Sequence, residues 1–135
     1  MKAETIFIMT MAMIDEMTDQ GTLDETTTAE YRAKAPSILT MLQNEIIGIE
    51  NRYRNLEEMV YPVQIKDLNQ YVQIDDIKAN TLLTNGLAAN LMLHEDKQLA
   101  SFFEQRYEEL KGMFLKPTPK EPISKVDKYG ADLQY

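Results

Sequence analysis

The only histidine of the chain, His94, is followed directly by two acidic residues, Glu95 and Asp96. An imidazole beside carboxylates can transfer protons near neutral pH, so this is the first place to look for catalysis. A serine hydrolase would also need a nucleophile, and the sequence contains no Gly-x-Ser-x-Gly turn. A di-iron bundle would need glutamate three residues before the histidine, where Leu91 stands. The pattern therefore favours His94 as a helix-end residue that caps carbonyls or pairs with Glu95.

Other residues that could take part in catalysis or ligand binding have a simpler structural role. The acidic pair Asp75–Asp76 precedes an apolar helical segment, where a carboxylate caps free backbone N–H groups. The 5 glycines are too dispersed to build a phosphate-binding loop, and the chain has no cysteine to ligate zinc or act as a nucleophile. We therefore predict that the protein is not an enzyme and that it uses no metal or other cofactor.

The charge of the chain limits the partners that it can bind. Its formal net charge is −8, which disfavours simple binding to nucleic acid. The four lysines after Leu115 outnumber the three acids there, so the first 115 residues carry about −9 and the remainder about +1. An acidic body with a slightly basic tail suits docking on protein surfaces.

Hydrophobic residues recur at helical spacing along most of the chain. This periodicity predicts an all-α fold, a small bundle of about four helices, over residues 4–19, 28–54, 75–94 and 96–111. A chain of 135 residues is most simply one domain. We therefore expect a helical bundle domain over residues 1–115 and an extended C-terminal arm over residues 116–135.

Several residues predict where these helices begin and end. Thr27 and Glu30 have the spacing of a capping box, and Pro36 predicts a kink or a short break in the second helix. Asp75 or Asp76 and then Asp96 are expected to cap the third and fourth helices. The first and last helices are expected to stop at glycines, Gly21 and Gly112.

The apolar positions also predict which helix faces are buried. The first helix carries a methionine-rich stripe at spacings of three and four, which favours core over partner contact: Ile6, Met9, Met13 and Met17. The last helix is predicted to turn a mostly apolar face inward: Leu99, Phe102, Phe103, Arg106, Tyr107 and Leu110. Small residues of the third helix, Gly86 and Ala89, let another helix come close, so the third and fourth helices are expected to pack as an antiparallel hairpin, with Phe103 and Tyr107 in the contact.

Two segments do not follow this periodicity. Residues 55–74 contain Pro62 and short apolar alternations, which fit a connector, either a short strand pair or a loop with one helical turn. The apolar run at residues 6–14 is too short for a membrane span and is followed directly by acidic residues, so no membrane partner is expected.

The last twenty residues differ from the rest of the chain in composition. Three prolines, Pro117, Pro119 and Pro122, favour an extended polyproline-like segment. The residues that follow are richer in apolar and aromatic side chains than a disordered tail usually is. We therefore expect an arm that becomes ordered on a partner, as an alternative to a frayed terminus, with these residues docking: Ile123, Val126, Tyr129, Gly130 and Tyr135.

The third and fourth predicted helices carry a family resemblance. A Gly-Leu-Ala-Ala helix (residues 86–89), a Glu-Asp turn (residues 95–96) and a Phe-x-x-x-Tyr-Glu-Glu helix (residues 103–109) resemble the last helical hairpin of head–tail connector, or adaptor, proteins of tailed bacteriophages and prophages. Upstream, Arg-x-x-Ala-Pro (residues 32–36) resembles the entry to the second helix of that group, and Tyr129–Gly130 resembles its terminal element.

The resemblance implies a structural function. Such proteins form a homo-oligomeric ring between the portal and the tail, bind the portal and other neck or tail-completion proteins, and let DNA pass through the lumen. It implies location in the neck of the virion, and in the host cytoplasm during assembly. It also implies that the C-terminal arm reaches the portal or a neighbouring subunit.

The composition leaves a second class of function open. A small acidic helical module could inhibit or regulate a host protein by meeting a basic patch on it. The arm distinguishes the two classes, because a connector needs it and an acidic inhibitor should tolerate its loss.

Overall fold

A computed structural model describes residues 1–16 and 21–115 of the chain. Over these residues the fold is all-α, and the prediction of four helices is confirmed. Helix α1 spans Ala3–Met13, α2 spans Glu25–Asn51 and α4 spans Lys97–Phe114. Helix α3 covers residues 76–91 in three contiguous parts: α-helical Asp76–Lys78, π-helical Ala79–Leu83 and α-helical Thr84–Leu91.

Helix α3 lies at the centre of the bundle, where it contacts α1, α2 and α4. Every residue from Leu82 to Ala89 is buried, although Thr84 and Asn85 are polar. These two side chains donate hydrogen bonds to carbonyls one turn earlier, Thr84 to Asn80 and Asn85 to Thr81. A central helix can therefore carry buried polar groups, because its own backbone satisfies them.

Helix α1 ends earlier than predicted, because Asp15 ends it rather than Gly21. Asp15 adopts a left-handed conformation with φ of 62°. Its N–H donates to the carbonyl of Ala12, and the N–H of Glu16 donates to that of Met11 at 2.8 Å. This is a Schellman ending with aspartate in the place that glycine usually takes. The end of the predicted 4–19 helix, residues 17–20, lies outside the described residues.

The buried face of α1 is rotated from the predicted methionine stripe. Ile6 is buried as predicted, but Met9 is only partly buried and Met13 is exposed. Thr10 takes a core position, where its hydroxyl donates to the carbonyl of Ile6 at 2.8 Å. Because this bond satisfies the hydroxyl, a residue that hydropathy places outside can be fully buried, together with Phe7.

Helix α2 begins three residues earlier than predicted, with Asp24 as its cap. The Asp24 carboxylate accepts from the N–H of Thr26 at 3.0 Å, so the predicted capping box of Thr27 and Glu30 is wrong. Helix α2 also continues through Pro36 without the predicted break. Ala35 and Leu39 are fully buried around the proline, so core packing offsets the backbone hydrogen bond that proline cannot donate.

Of the other predictions for helix ends, some are confirmed and one is wrong. Asp75 and Asp96 are confirmed as caps, since their carboxylates accept from the N–H groups of Lys78 and Leu99, both at 3.1 Å. Helix α4, in contrast, passes through Gly112 and ends at Phe114, so the predicted glycine stop is wrong. The extra turn places Leu115 in the core.

Residues 55–74 form a connector, as predicted, with one short helical turn at Leu56–Glu58. The alternative of a strand pair is not formed among the described residues, where only an isolated bridge joins Lys2 to Tyr71. The connector caps α1: the N–H groups of Ala3 and Glu4 donate to the carbonyls of Gln70 and Leu68. Irregular backbone thus satisfies the start of a helix that lacks a side-chain cap.

Candidate functional site

The histidine that first suggested catalysis lies in the turn between α3 and α4. The side chains of His94, Glu95 and Asp96 are all exposed. Asp96 caps α4, while the imidazole makes no hydrogen bond or ion pair with another described residue. The predicted roles of His94 in capping a carbonyl or pairing with Glu95 are therefore not observed. His94 lines neither the groove between α3 and α4 nor the groove beside Arg32.

Acidic side chains gather at this end of the bundle, around Tyr31 of α2. Burial and then the negative charges of Glu95, Glu16 and Glu30 raise the pKa of the Tyr31 phenol. These carboxylates come from three different parts of the chain, which the fold brings together. Among residues 1–16 and 21–115, no group of three histidine or acidic side chains is arranged to hold a metal ion.

The α3–α4 hairpin contains the four residues that the sequence places in its contact. Gly86, Ala89, Phe103 and Tyr107 are all buried. A Cβ atom on Gly86 would lie 3.2 Å from a ring carbon of Tyr107 and 2.9 Å from a methyl carbon of Leu42. Gly86 therefore lies where α2, α3 and α4 converge, and its missing side chain allows that approach.

Tyr107 also fastens α4 to α2 through a polar cluster. Its hydroxyl donates to Glu45 at 2.8 Å, and Lys111 forms ion pairs with Glu45 and with Glu108. Burial disfavours the charged form of Glu45, but the hydrogen bonds from Lys111 and Tyr107 outweigh it, so its pKa lies below the usual value. Burial, followed by these carboxylates, raises the pKa of Tyr107. The cluster thus joins two helices and uses its charged groups for structure.

Glu104 lies beside this cluster, and its charged form is disfavoured there. This gives a prediction for the pH dependence of stability. Burial first, and then the hydrogen bond and repulsion from Glu108, raise its pKa. A carboxyl whose pKa is raised on folding contributes stability below its unfolded pKa and loses it as pH rises through the folded pKa. We therefore expect Glu104→Gln to stabilise the protein at pH 7 by a few tenths of a kcal/mol, on the order of one like-charge pair.

Urea unfolding at pH 7 and pH 3 measures this effect. The gain from Glu104→Gln should vanish at pH 3, where the native carboxyl is protonated too. Glu109→Gln is the matched control, because it removes the same charge from the same helix. Equal shifts for the two variants at pH 7 would contradict the role assigned to Glu108.

The connector is held against α2 by side chains rather than by a sheet. Asn51 bonds both the N–H and the carbonyl of Val60, Gln43 donates to the carbonyl of Val63, and Thr40 bonds both the N–H and the carbonyl of Ile65. Thr40, Gln43 and Asn51 are spaced by three and eight residues, which places them on one face of α2. We call Thr40, Gln43 and Asn51 the amide ladder, after its two amide members.

Gln73 completes this arrangement from within the connector. Its side chain accepts from the N–H of Val63 at 2.7 Å and donates to the carbonyl of Tyr61 at 3.1 Å. Its own N–H donates to the buried Gln43 at 2.7 Å. One glutamine thus takes the place of a neighbouring strand for Tyr61–Val63, which explains why extended backbone is stable here without a sheet.

This arrangement leaves several apolar side chains of the connector exposed to solvent. Ile65 and Val72 are buried, whereas Tyr61, Val63 and Tyr71 are exposed. Leu56, in the short helical turn before them, is exposed as well. We call the set Leu56, Tyr61, Val63 and Tyr71 the connector row. These residues were not predicted from the sequence, although the apolar alternation at Val63 and Ile65 was a signal for them.

A second exposed apolar surface lies on α4. The sequence predicts that Phe102, Phe103, Arg106 and Tyr107 all face inward, but only Phe103 and Tyr107 are buried. Phe102 and Arg106 are exposed, as is Met113 two turns further along the same side of the helix. We call Phe102, Arg106 and Met113 the α4 stripe. The predicted inner face is therefore wider than the surface that the bundle covers.

The predicted docking arm cannot be placed in this geometry, because all of its residues lie outside the described part of the chain. These are Ile123, Val126, Tyr129, Gly130 and Tyr135. Within the described residues, no helix is long and apolar enough to cross a membrane. Comparison with known proteins gives no assignment: no family model, curated protein or solved structure matches the chain.

Proposed function

We propose that the protein is a structural assembly protein of a tailed bacteriophage or prophage. It acts as a head–tail connector that forms a ring between the portal and the tail and performs no catalysis. It works in the neck of the virion, after assembly in the host cytoplasm. Its partners are the portal protein, other neck or tail-completion proteins and further copies of itself, while DNA only passes through the lumen.

The observation that carries this proposal is the α3–α4 hairpin. The buried residues among those that resemble the connector family pack the hairpin, with Gly86 against Tyr107 and α2. The polar groups of this region, Glu45, Tyr107 and Lys111, are engaged in holding helices together. These contacts support assembly as the purpose of the hairpin, because its side chains serve packing.

The charge of the body is consistent with a ring that DNA crosses. Residues 1–115 carry about −9, so duplex DNA would be repelled rather than gripped. Salt-dependent duplex binding by the isolated protein would argue against this part of the proposal.

Deletion of residues 116–135 tests the proposed arm. We expect the shortened protein to keep its helical content and unfolding midpoint, because the described core lies within residues 1–115. We expect it to lose binding to the cognate portal, measured by co-sedimentation with purified portal rings. Portal binding equal to that of the full chain would contradict the proposal.

A matched pair of full-length variants separates apolar docking from charge. The first replaces Ile123, Val126 and Tyr129 with serine and should lose portal binding, because it removes the apolar anchors. The control replaces the lysines of the arm, Lys116, Lys120, Lys125 and Lys128, with glutamine and should keep most of it. The reverse result would assign docking to charge instead.

Imaging of particles tests the function itself. Lysates of the phage that lack this protein should contain DNA-filled heads without tails, or heads that have lost their DNA. Negative-stain microscopy distinguishes these from normal virions, whose presence would end the connector proposal.

The acidic cluster around Tyr31 supports a second candidate, a binding module that inhibits or regulates a host protein. Glu16, Glu30 and Glu95 lie near Tyr31 there, and Lys34 of α2 forms an ion pair with Glu30. Such a module would bind a basic patch on its target. It would tolerate loss of residues 116–135 and would lose binding when these three glutamates become glutamine.

A further inference from the structure

The α4 stripe is an apolar surface that its own bundle leaves uncovered. Phe102 is 54% exposed and Met113 is 70% exposed, and about 16 Å of helix separates their Cα atoms. The half-buried Leu99 and Leu110 border them, so the apolar surface continues from the core to the stripe. Apolar side chains that are left exposed beside the core on one helix are candidates for contact with another protein.

The connector row is a second surface of the same kind. Leu56 is 80% exposed, Tyr61 75% and Val63 60%. Their backbone is fixed, because Gln43, Gln73 and Asn51 hold Val60 and Val63. Tyrosines and aliphatic side chains on a fixed backbone suit binding, because little conformational freedom is lost when a partner docks.

The two surfaces do not cover each other within one chain, since both are exposed. Helix α4 packs on α3 and is joined to α2 through Glu45, whereas the connector packs on α2 and on the start of α1. Among the described residues, no hydrogen bond or ion pair links α4 to residues 55–74. The α4 stripe and the connector row therefore lie on elements that pack against different parts of the bundle.

Their charges are complementary. Arg106 lies in the middle of the α4 stripe, is exposed and forms no ion pair with another described residue. Glu57 lies beside Leu56 in the connector, is exposed and is equally without an ion pair among the described residues. Arg106 of the α4 stripe is thus opposite in charge to Glu57 of the connector, although the exposed Glu109 lies on the same side of α4. Such pairs fix orientation more than they add affinity.

We propose that the α4 stripe of one copy docks on the connector row of the next copy. The contact is head-to-tail, because it joins two different surfaces, and contacts of this kind close into rings when their rotation permits. The partner surface is therefore a second copy of this chain, with Phe102 and Met113 against Tyr61 and Val63. This inference rests on the proposed function, to which it supplies the subunit interface of the ring.

Cysteine cross-linking tests the contact cleanly, because the natural chain contains no cysteine. Full-length protein carrying both Tyr61→Cys and Phe102→Cys should give a ladder of disulfide-linked oligomers under mild oxidation. Each single variant can link two copies at most. The matched control combines Tyr61→Cys with Ser101→Cys, which lines the groove on the other side of α4, and should give no ladder beyond dimers.

A charge exchange tests the same contact without a covalent bond. Arg106→Glu alone and Glu57→Arg alone should each weaken self-association at least about tenfold, since each places like charges in contact. Both changes in one chain should restore it, because each contact then pairs opposite charges again, with the acid on α4 and the base on the connector. Sedimentation measures the association, and circular dichroism checks that each variant keeps its helices.

The outcomes separate this interface from the proposed function. No ladder from the double cysteine variant, or no rescue by the charge exchange, would overturn the interface. A wild-type protein that stays monomeric at the concentrations used for assembly would overturn it too. Portal binding that survives such a result leaves the proposed function standing, whereas a ladder without portal binding supports the interface and contradicts that function.

Discussion

Replacing Gln43 with methionine should lower the free energy of unfolding by about 2–4 kcal/mol, because a buried side chain loses three hydrogen bonds. Gln43 is fully buried. Its side-chain N–H group donates to the carbonyl of Val63 at 3.1 Å and to Gln73 at 3.3 Å, and its oxygen accepts from the N–H of Gln73 at 2.7 Å. Methionine has a similar shape but replaces none of these bonds, so the connector should loosen from α2.

Two measurements distinguish a loss of stability at the connector from a loss over the whole bundle. Urea unfolding gives the total change, and amide hydrogen exchange should show faster opening at Val63 and Gln73 than in α3. Gln98→Met is the matched control, because Gln98 is exposed on α4 and its substitution should change stability little. If Gln43→Met costs no more than this control, the side-chain bonds do not hold the connector.

Replacing Gly86 with valine should cost about 2–3 kcal/mol through overpacking. A Cβ atom there would lie 2.9 and 3.0 Å from the two methyl carbons of Leu42 and 3.2 Å from Tyr107. Leu42 is itself buried, so its side chain cannot move aside without disturbing the core. Valine adds two methyl groups beyond that Cβ, and the point where α2, α3 and α4 converge must therefore widen.

Gly48→Ala on α2 should raise stability, whereas Gly86→Val should lower it. A Cβ atom on Gly48 meets no atom within 4 Å, so alanine fits without strain. It should stabilise the helix by about 0.5–1 kcal/mol, because glycine loses more conformational freedom on folding. Thermal unfolding of both variants tests the assignment, and a stabilised Gly86→Val would show that the helices do not converge there.

The number of helices was predictable from the sequence because burial follows apolar periodicity over long segments. Asp75 and Asp96 were predictable as caps, since a carboxylate before an apolar helical run has one evident structural role. The end of α1 was not, because aspartate only occasionally adopts the left-handed conformation that Asp15 takes. The pattern marked Gly21 instead, where glycine needs no such exception.

The spacing of apolar residues also predicts a wider buried face on a helix than a small bundle covers. On α4 it grouped Phe102 and Arg106 with Phe103 and Tyr107, but a bundle of four helices covers only part of that width. On α1 it favoured Met13 over Thr10, because hydropathy does not register the bond from the Thr10 hydroxyl to its own helix. The first error arises because the sequence does not specify how much of a helix its neighbours cover, and the second because hydropathy ignores a bond within the helix.

The connector was the least predictable part for a physical reason. Its backbone is satisfied by the side chains of Thr40, Gln43 and Asn51, which lie up to 25 residues away. These residues appear as ordinary polar positions of an amphipathic helix. Only the fold reveals that their side chains bond the main chain of the connector.

The amide ladder has a consequence for how this protein can change. Side chains of α2 bond the main chain of residues 60–65 and not its side chains. The path of the connector therefore does not depend on the identity of Tyr61 or Val63. Their outward side chains can therefore be exchanged at little cost to the fold. Under the proposed interface, recognition and stability are encoded in separate residues, so residues 55–74 can acquire a new specificity while the bundle beneath them stays the same.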